Sequence, residues 1–161
     1  MHIEYTIRLG QREDVPAIWG LVRELAIYEK AEIEHTNTIE MMYEDGFGAM
    51  PIYQFYVAEV GSEIVGMALF YYRYSTWKGK CLYLEDFYVK EHYRQYKIGF
   101  GLFKTIIQRA YQDGCKRISW QVLDWNQLAI DFYNRFEASM EAGWLNAALT
   151  EEQIKYWHHH L

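Results

Sequence analysis

The sequence is poor in the residues that cross-link or interrupt a chain. Its 161 residues include only 2 cysteines and 2 prolines. Neither Cys81 nor Cys115 belongs to a CxxC pair or to a cluster with histidine. A disulfide scaffold and a structural zinc site are therefore not expected, and no metal site is predicted. Both cysteines are expected to be small core residues.

Long apolar runs are also missing. No run approaches the roughly 18 residues that span a bilayer. The chain starts at Met1 without the basic and then apolar stretches of a signal peptide. We therefore expect a soluble, intracellular and cytoplasmic protein. With 51% hydrophobic and 24% charged residues, the composition is typical of a globular chain, and the length predicts a single domain over residues 1–161.

Positive charge is in deficit, since the formal net charge is -6. This argues against general nucleic-acid binding. The deficit is uneven: residues 1–60 carry 11 acidic against 4 basic side chains, whereas residues 80–117 carry 8 basic against 4 acidic ones. One explanation is that residues 1–60 contribute to binding a cation and residues 80–117 to binding a polyanion. The alternative is a chance scatter of surface charges.

Strand and helix patterns alternate along the chain. Strand composition marks five segments and, more weakly, a sixth near Trp144: residues 4–9, 53–60, 64–74, 81–89 and 117–123. Helical spacing or capping marks five others: one capped by Asp14, a short one capped by Asn37, residues 98–111, residues 127–135, and one starting at a capping box on Thr150. Together they predict an α/β fold with a mixed sheet.

The segment 83–101 passes from a strand through a basic and aromatic loop into a helix. Free N–H groups at a helix start that contains Gly99 and Gly101, with the helix dipole behind them, form a site for phosphate. Arg94 and Lys97 would add positive charge to it. The alternative is that the glycines permit tight packing and that the cations are merely solvated.

A second group lies on the predicted helix 127–135. With Asn126 as its cap, Ala129 and Tyr133 are four residues apart on one face. Tyr133 could donate a proton, because a phenol has a pKa near 10. A buried tyrosine that only packs is the commoner case.

Together these segments resemble the GNAT acetyltransferases, and more narrowly the diamine N-acetyltransferases of the spermidine/spermine type. The resemblance covers nearly the whole chain and is carried by ELAIYE at 24–29, EDGFG at 44–48 with Pro51, VAEV at 57–60, WKGK at 77–80, LYLEDFYV at 82–89, YR at 93–94, WN at 125–126 and FY at 132–133. It implies the GNAT mixed sheet, in which two central strands splay apart to admit acetyl-CoA. It also implies a homodimer that transfers an acetyl group from acetyl-CoA to a primary amine of a diamine, polyamine or lysine-like substrate in a ternary complex.

The resemblance assigns roles to individual residues. Tyr133 matches the general acid, and Glu85 matches the residue that removes a proton from the amine through water. The positions assigned to acetyl-CoA are Phe87, Tyr88, Val89, Arg94, Gln95, Tyr96, Lys97, Ile98, Gly99, Phe100, Asn126 and Ala129. The positions assigned to the cationic substrate are Tyr28, Glu29, Glu85, Asp86 and Trp144.

The sequence departs from the family pattern at four positions. Lys97 occupies a glycine place in the phosphate loop. If the family needs glycine there for a positive φ or for a close approach of the backbone, Lys97 strains the loop. If it does not, the Lys97 ammonium adds a contact to phosphate, and we favour this second interpretation. Glu137 replaces a glycine at a helix end and is expected to reshape the turn without touching the chemistry. Ser75 and Ala142 replace acidic residues, which predicts a shorter amine than a long polyamine.

Two other functions stay open at this point. One is a GNAT enzyme that acts on a protein or peptide amine, which would need a groove with open flanks. The other is a non-catalytic acyl-CoA-binding or regulatory domain, suggested by Lys97 and Glu137. No function is assigned to the histidines at 158–160.

Overall fold

The computed structural model describes residues 3–160 and divides them into two compact units, one ending at Leu123 and one starting at Asp124. The residues at which a signal peptide would begin, Met1 and His2, lie outside the described residues. The prediction of a single domain over 1–161 stays a prediction. None of the helices in residues 3–160 is both long enough and apolar enough to cross a membrane.

The first unit is built on a five-stranded sheet whose spatial order follows the chain. The first four strands pair antiparallel, and the fifth runs parallel to the fourth. The strands are β1 (Thr6–Leu9), β2 (Gln54–Val60), β3 (Glu63–Ser75), β4 (Gly79–Val89) and β5 (Arg117–Ser119). The predicted α/β fold with a mixed sheet is therefore confirmed.

Helices cover both faces of this sheet. The first unit contains α1 (Val15–Tyr28), α2 (Ile39–Phe47) and α3 (Ile98–Gln112). A cluster of buried side chains from α1, α2 and the sheet includes Met67 of β3. At the preceding position, a Cβ on Gly66 would lie 3.1 Å from Leu102 of α3. Successive strand residues face opposite sides, so α3 lies on the other face from α1 and α2.

Two predicted helix caps are wrong in their details. Asp14 precedes α1, but its carboxylate accepts hydrogen bonds from the Arg8 guanidinium at 2.6 and 2.8 Å and from the Gln11 N–H at 2.7 Å. A strong charged partner therefore takes the oxygens that a cap would need. At α2 the cap is Thr38, whose Oγ1 accepts from the Met41 N–H at 3.2 Å, while Asn37 accepts from the Thr38 N–H.

The cysteine prediction is confirmed only in part. Both thiols are free, but only Cys81 is buried, and Cys115 is half-buried. Across residues 3–160, no group of histidine, cysteine and acidic side chains is arranged to hold a metal ion.

Two strand predictions are also wrong. β5 has three residues rather than the predicted seven. The segment around Trp144 is not a strand, since residues 137–150 carry no helix or strand and residues 139–150 are all exposed. A strand needs a neighbouring ladder for its backbone groups, and Gly143 at φ 104° further interrupts an extended course there.

The second unit contains α4 (Gln127–Asn134) and α5 (Glu151–His160). Asn126 caps α4 as predicted, because its Oδ1 accepts from the Ala129 N–H at 3.2 Å. The capping box at α5 is also confirmed: the Thr150 N–H donates to Gln153 Oε1 at 2.8 Å, and the Gln153 N–H donates to Thr150 Oγ1 at 3.2 Å.

Candidate active site

A β-bulge in β4 organises the candidate site. Leu69 of β3 pairs with Asp86, and the next residue, Phe70, pairs with Leu84. Glu85 is therefore the extra residue of the bulge. In a regular strand, adjacent side chains point to opposite faces, whereas a bulge re-aims one of them. As a result, Glu85 and Asp86 line the same cavity.

This cavity has a volume of about 400 Å³. Its apolar walls come from α1, α2 and β3 and include Val22, Met42 and Leu69. Its polar lining consists of His35, Asn37, Asp45, Tyr53, Tyr71, Glu85 and Asp86. A small cavity with apolar walls and a few polar groups is typical of a binding site for a small molecule.

The electrostatics of the cavity favour a cation. Burial, followed by the charges of Glu85 and Glu29, raises the pKa of Asp86 to about 7. Burial also raises the pKa of Glu29. These carboxyl groups resist ionisation mainly because burial disfavours their charged form, and a bound cation would lower their pKa values again. Glu29, Glu85 and Asp86, all predicted for the substrate, are thus electrostatically coupled.

Two tyrosines in the cavity were not foreseen. Tyr71 Oη donates to Glu85 Oε2 at 3.0 Å, and burial followed by this contact raises the pKa of Tyr71 to about 12. Tyr53 Oη donates to the Met42 carbonyl at 2.6 Å, and burial raises its pKa to about 12. Both phenols therefore keep their protons. Tyr71 lies two residues after Leu69 on β3, so strand alternation could have placed it on the cavity face.

The loop between β4 and α3 contains the predicted phosphate-binding residues. A 3-10 turn, Glu91–Tyr96, leads into Lys97, which adopts the left-handed conformation with φ 62° and ψ 14°. This conformation favours glycine, so the structure supports the interpretation that we did not favour, in which Lys97 strains the loop. A contact from its exposed ammonium to phosphate stays a prediction.

Arg94 has protein partners of its own. Its Nε donates to the Val89 carbonyl at 2.9 Å. Its guanidinium carbon lies 5.0 Å from the centre of the Tyr28 ring and 5.4 Å from that of Tyr88. Tyr28, predicted beside the substrate, is therefore in contact with the loop that was predicted to hold the cofactor. The phosphate role of Arg94 stays a prediction.

The packing interpretation holds for Gly101. A Cβ at this position would lie 2.9 Å from both Ile7 Cδ1 and Tyr5 Oη. Gly101 thus lets the first turn of α3 approach the first strand. The other residues predicted to wrap the phosphates follow one another along the loop and this turn: Gln95, Tyr96, Ile98, Gly99 and Phe100.

β4 and β5 pair with each other only over a short stretch. Their parallel pairs run only from Cys81 and Arg117 to Tyr83 and Ser119. β4 then continues for six residues, 84–89, which include the predicted acetyl-CoA positions Phe87, Tyr88 and Val89. On the α3 side, the ring of Phe87 contacts that of Phe103, with 5.9 Å between centroids.

Four predicted site residues belong to the second unit. Asn126 and Tyr133 are buried, Ala129 follows the cap of α4, and Trp144 is 80% exposed. Their roles near the cofactor and substrate stay predictions. Glu137 adopts φ 56°, a left-handed conformation that favours glycine. The expected reshaping of the turn stays a prediction.

Comparisons with known proteins agree with this arrangement. Residues 21–137 match the model of the Acetyltransferase (GNAT) family. A thialysine N-epsilon-acetyltransferase from Bos taurus is 41% identical over 140 residues, which cover 82% of each chain. The spermidine/spermine N(1)-acetyltransferase-like protein 1 from Homo sapiens is 35% identical over 160 residues, 93% of this chain and 23% of that protein. An aminoglycoside N-acetyltransferase solved in complex with CoA superimposes with a TM-score of 0.73 at 13% identity, over 92% of this chain and 97% of the other.

Proposed function

The chain belongs to the acetyltransferase (GNAT) family, and we propose that it transfers the acetyl group of acetyl-CoA to a primary amine of a small cationic substrate, by direct attack in a ternary complex. The observation that carries this proposal is the bulge that turns both Glu85 and Asp86 into one small cavity. Relatives named for thialysine and for spermidine/spermine support an amine as the acceptor.

The cavity's own groups explain how a cation is drawn in. Glu85, Asp86 and Asp45 line it, and Glu29 acts on Asp86 through its charge. An ammonium group offers the positive charge that these carboxylates lack. The apolar walls accept the methylene chain of such a substrate.

The same groups prepare the amine for attack. A primary amine has a pKa near 10 and must lose a proton before its lone pair can react. Glu85 is exposed and held by the Tyr71 hydroxyl, so it is positioned to take this proton through a water molecule. Asp86, with its pKa of about 7, can hold a proton near neutral pH and so limits the repulsion between the two carboxylates.

The residues assigned to acetyl-CoA suit such a ligand. Phe87, Tyr88 and Val89 lie on β4 past its last pair with β5, and we assign their backbone to the amide groups of the ligand. Among residues 3–160 no side chain caps the N-terminus of α3, so its first-turn N–H groups could bind a phosphate without competition from a cap. When bound, acetyl-CoA supplies the activated acetyl group. We assign Tyr133 the donation of a proton to the leaving sulfur, with Asn126 and Ala129 beside it.

Turnover with a panel of amines tests the proposal. Release of coenzyme A would be measured with spermine, spermidine, putrescine, thialysine and a lysine-containing peptide. We expect turnover of the shorter amines and little with the peptide. A strong preference for spermine would contradict the short substrate, and efficient peptide acetylation would favour the protein-directed alternative. No turnover at all would leave a non-catalytic acyl-CoA-binding domain.

The acid role has its own test. Tyr133→Phe removes only the hydroxyl, and we expect kcat to fall about 100-fold, in the range of a lost general acid. The matched control is Tyr111→Phe, which removes a hydroxyl from an exposed tyrosine of α3. An unchanged kcat in Tyr133→Phe would refute the assignment.

The resemblance also leads us to propose a homodimer. Light scattering after size-exclusion chromatography would give a mass of about twice 19.4 kDa if this is right. A monomeric mass at assay concentration would contradict it.

A further inference from the structure

Two residues between α1 and α2 bring uncommitted hydrogen-bonding groups to the cavity. His35 Nε2 is shielded from solvent and has no hydrogen-bond partner among residues 3–160. Its ring packs on Trp19, with 5.2 Å between the ring centroids. Asn37 uses its carbonyl to accept from Trp19 Nε1 and its side-chain oxygen to accept from the Thr38 N–H, both at 2.9 Å. These contacts leave the amide nitrogen of Asn37 without a described partner.

The other polar groups of the lining are already used or cannot donate. Tyr53 donates to Met42, and Tyr71 donates to Glu85. Asp45 and Glu85 are acceptors when ionised, and Asp86 can donate only while it is protonated. His35, in the tautomer protonated at Nε2, and Asn37 are therefore the neutral side chains of the lining with donors to spare. A buried polar group without a partner is unfavourable, so Nε2 of His35 is a place where a ligand acceptor would be stabilising.

We infer that His35 and Asn37 form a subsite for the carboxylate of an amino-acid substrate. This inference rests on the proposed function and narrows its substrate to an α,ω-diamino acid. The cationic side chain would meet Glu85 and Asp86 of β4, and the carboxylate would meet the donors of the α1–α2 connection. A carboxylate placed among three acidic side chains would be repelled unless such donors held it. A plain diamine brings no acceptor for His35.

A matched substrate pair tests the subsite. L-Lysine and cadaverine share the same carbon chain and the same reacting amine, and they differ by the carboxylate alone. We expect His35→Leu to lower kcat/KM for L-lysine about 10- to 100-fold, as for a lost hydrogen bond to a charged group. For cadaverine the change should stay below about threefold. His35→Gln, which restores an amide donor, should recover part of the L-lysine rate.

The outcomes are distinct from those that test the proposed function. Equal losses for both substrates would mean that His35 only supports the loop on Trp19, and the subsite would be refuted. No change for either substrate would refute it as well. If no amine is turned over, the proposed function fails, and titration calorimetry of L-lysine against cadaverine on the same variants decides the subsite independently: a carboxylate-dependent loss of affinity in His35→Leu supports it, and an equal affinity refutes it.

Discussion

Replacing Lys97 with glycine should stabilise the protein. Lys97 has φ 62°, a conformation that brings the Cβ of an L-residue close to its own carbonyl oxygen and costs about 1–2 kcal/mol. Glycine avoids this contact but loses roughly 0.5–1 kcal/mol through the greater freedom of the unfolded chain. The net gain is about 0–1.5 kcal/mol, centred on roughly 0.8 kcal/mol, and this central value raises the Tm of a chain of this size by about 2–3 °C.

Calorimetry on a set of matched variants would measure this effect. Lys97→Ala removes the same ammonium but keeps the strained backbone, so it should not share the gain. Glu137→Gly relieves a second left-handed residue, at φ 56°, and should show a similar rise in Tm. Lys104→Gly places glycine at an exposed position inside α3 and should lower the stability by about 1 kcal/mol.

The same variants separate backbone from charge at the proposed phosphate loop. Lys97→Gly and Lys97→Ala both lack the ammonium, so a contact between Lys97 and phosphate would raise KM for acetyl-CoA in both. If Lys97→Gly is no more stable than Lys97→Ala, the left-handed residue stores no strain and our account of the loop is refuted.

Two further predictions concern buried carboxyl groups. The pKa of Asp86 is raised to about 7, so the folded state binds its proton more tightly than the unfolded one, and this contribution to stability is lost as the pH rises from about 4 to 7. Relative to its effect at pH 4, Asp86→Asn should therefore stabilise the protein at pH 8 by up to about 4 kcal/mol, as urea titrations would show. An equal effect at both pH values would contradict this. The pKa of Asp14 is lowered, mainly by its hydrogen bonds to Arg8 and against the effect of burial, so its contribution to stability is lost as the pH falls through the pKa of the folded state. Asp14→Asn should therefore cost about 2 kcal/mol of stability at pH 7. An unchanged Tm would count against a stabilising ion pair with Arg8.

Features set by local sequence were predictable. The strands β2 and β3 and the helix starting at Ile98 followed from side-chain composition and periodicity. The caps at Asn126 and Thr150 needed only residues three positions away. Asp14 failed as a cap because its partner, Arg8, comes from the preceding strand, and its competition depends on how that strand packs.

The geometry of the site was harder to predict, because it depends on how distant segments of the chain pair. Glu85 and Asp86 could be singled out by resemblance, but their common orientation follows from the register between β3 and β4, which no local pattern reveals. The place of Tyr71, by contrast, follows from alternation along β3 once Leu69 is known to face the cavity. His35 escaped notice because an isolated histidine in a loop has no periodicity, and only the packing on Trp19 places it at the cavity.

The bulge makes the site sensitive to the number of residues in β4 as well as to their identity. Exchanging Glu85 for another residue leaves the backbone path, and hence the direction of Asp86, in place. Deleting one residue between Leu84 and Asp86 would let the two strands pair without interruption and restore simple alternation. A single-codon loss here would therefore give a more regular sheet but would leave only one acidic side chain of β4 facing the cavity. During divergence of such a chain, this position should accept substitutions far more readily than insertions or deletions.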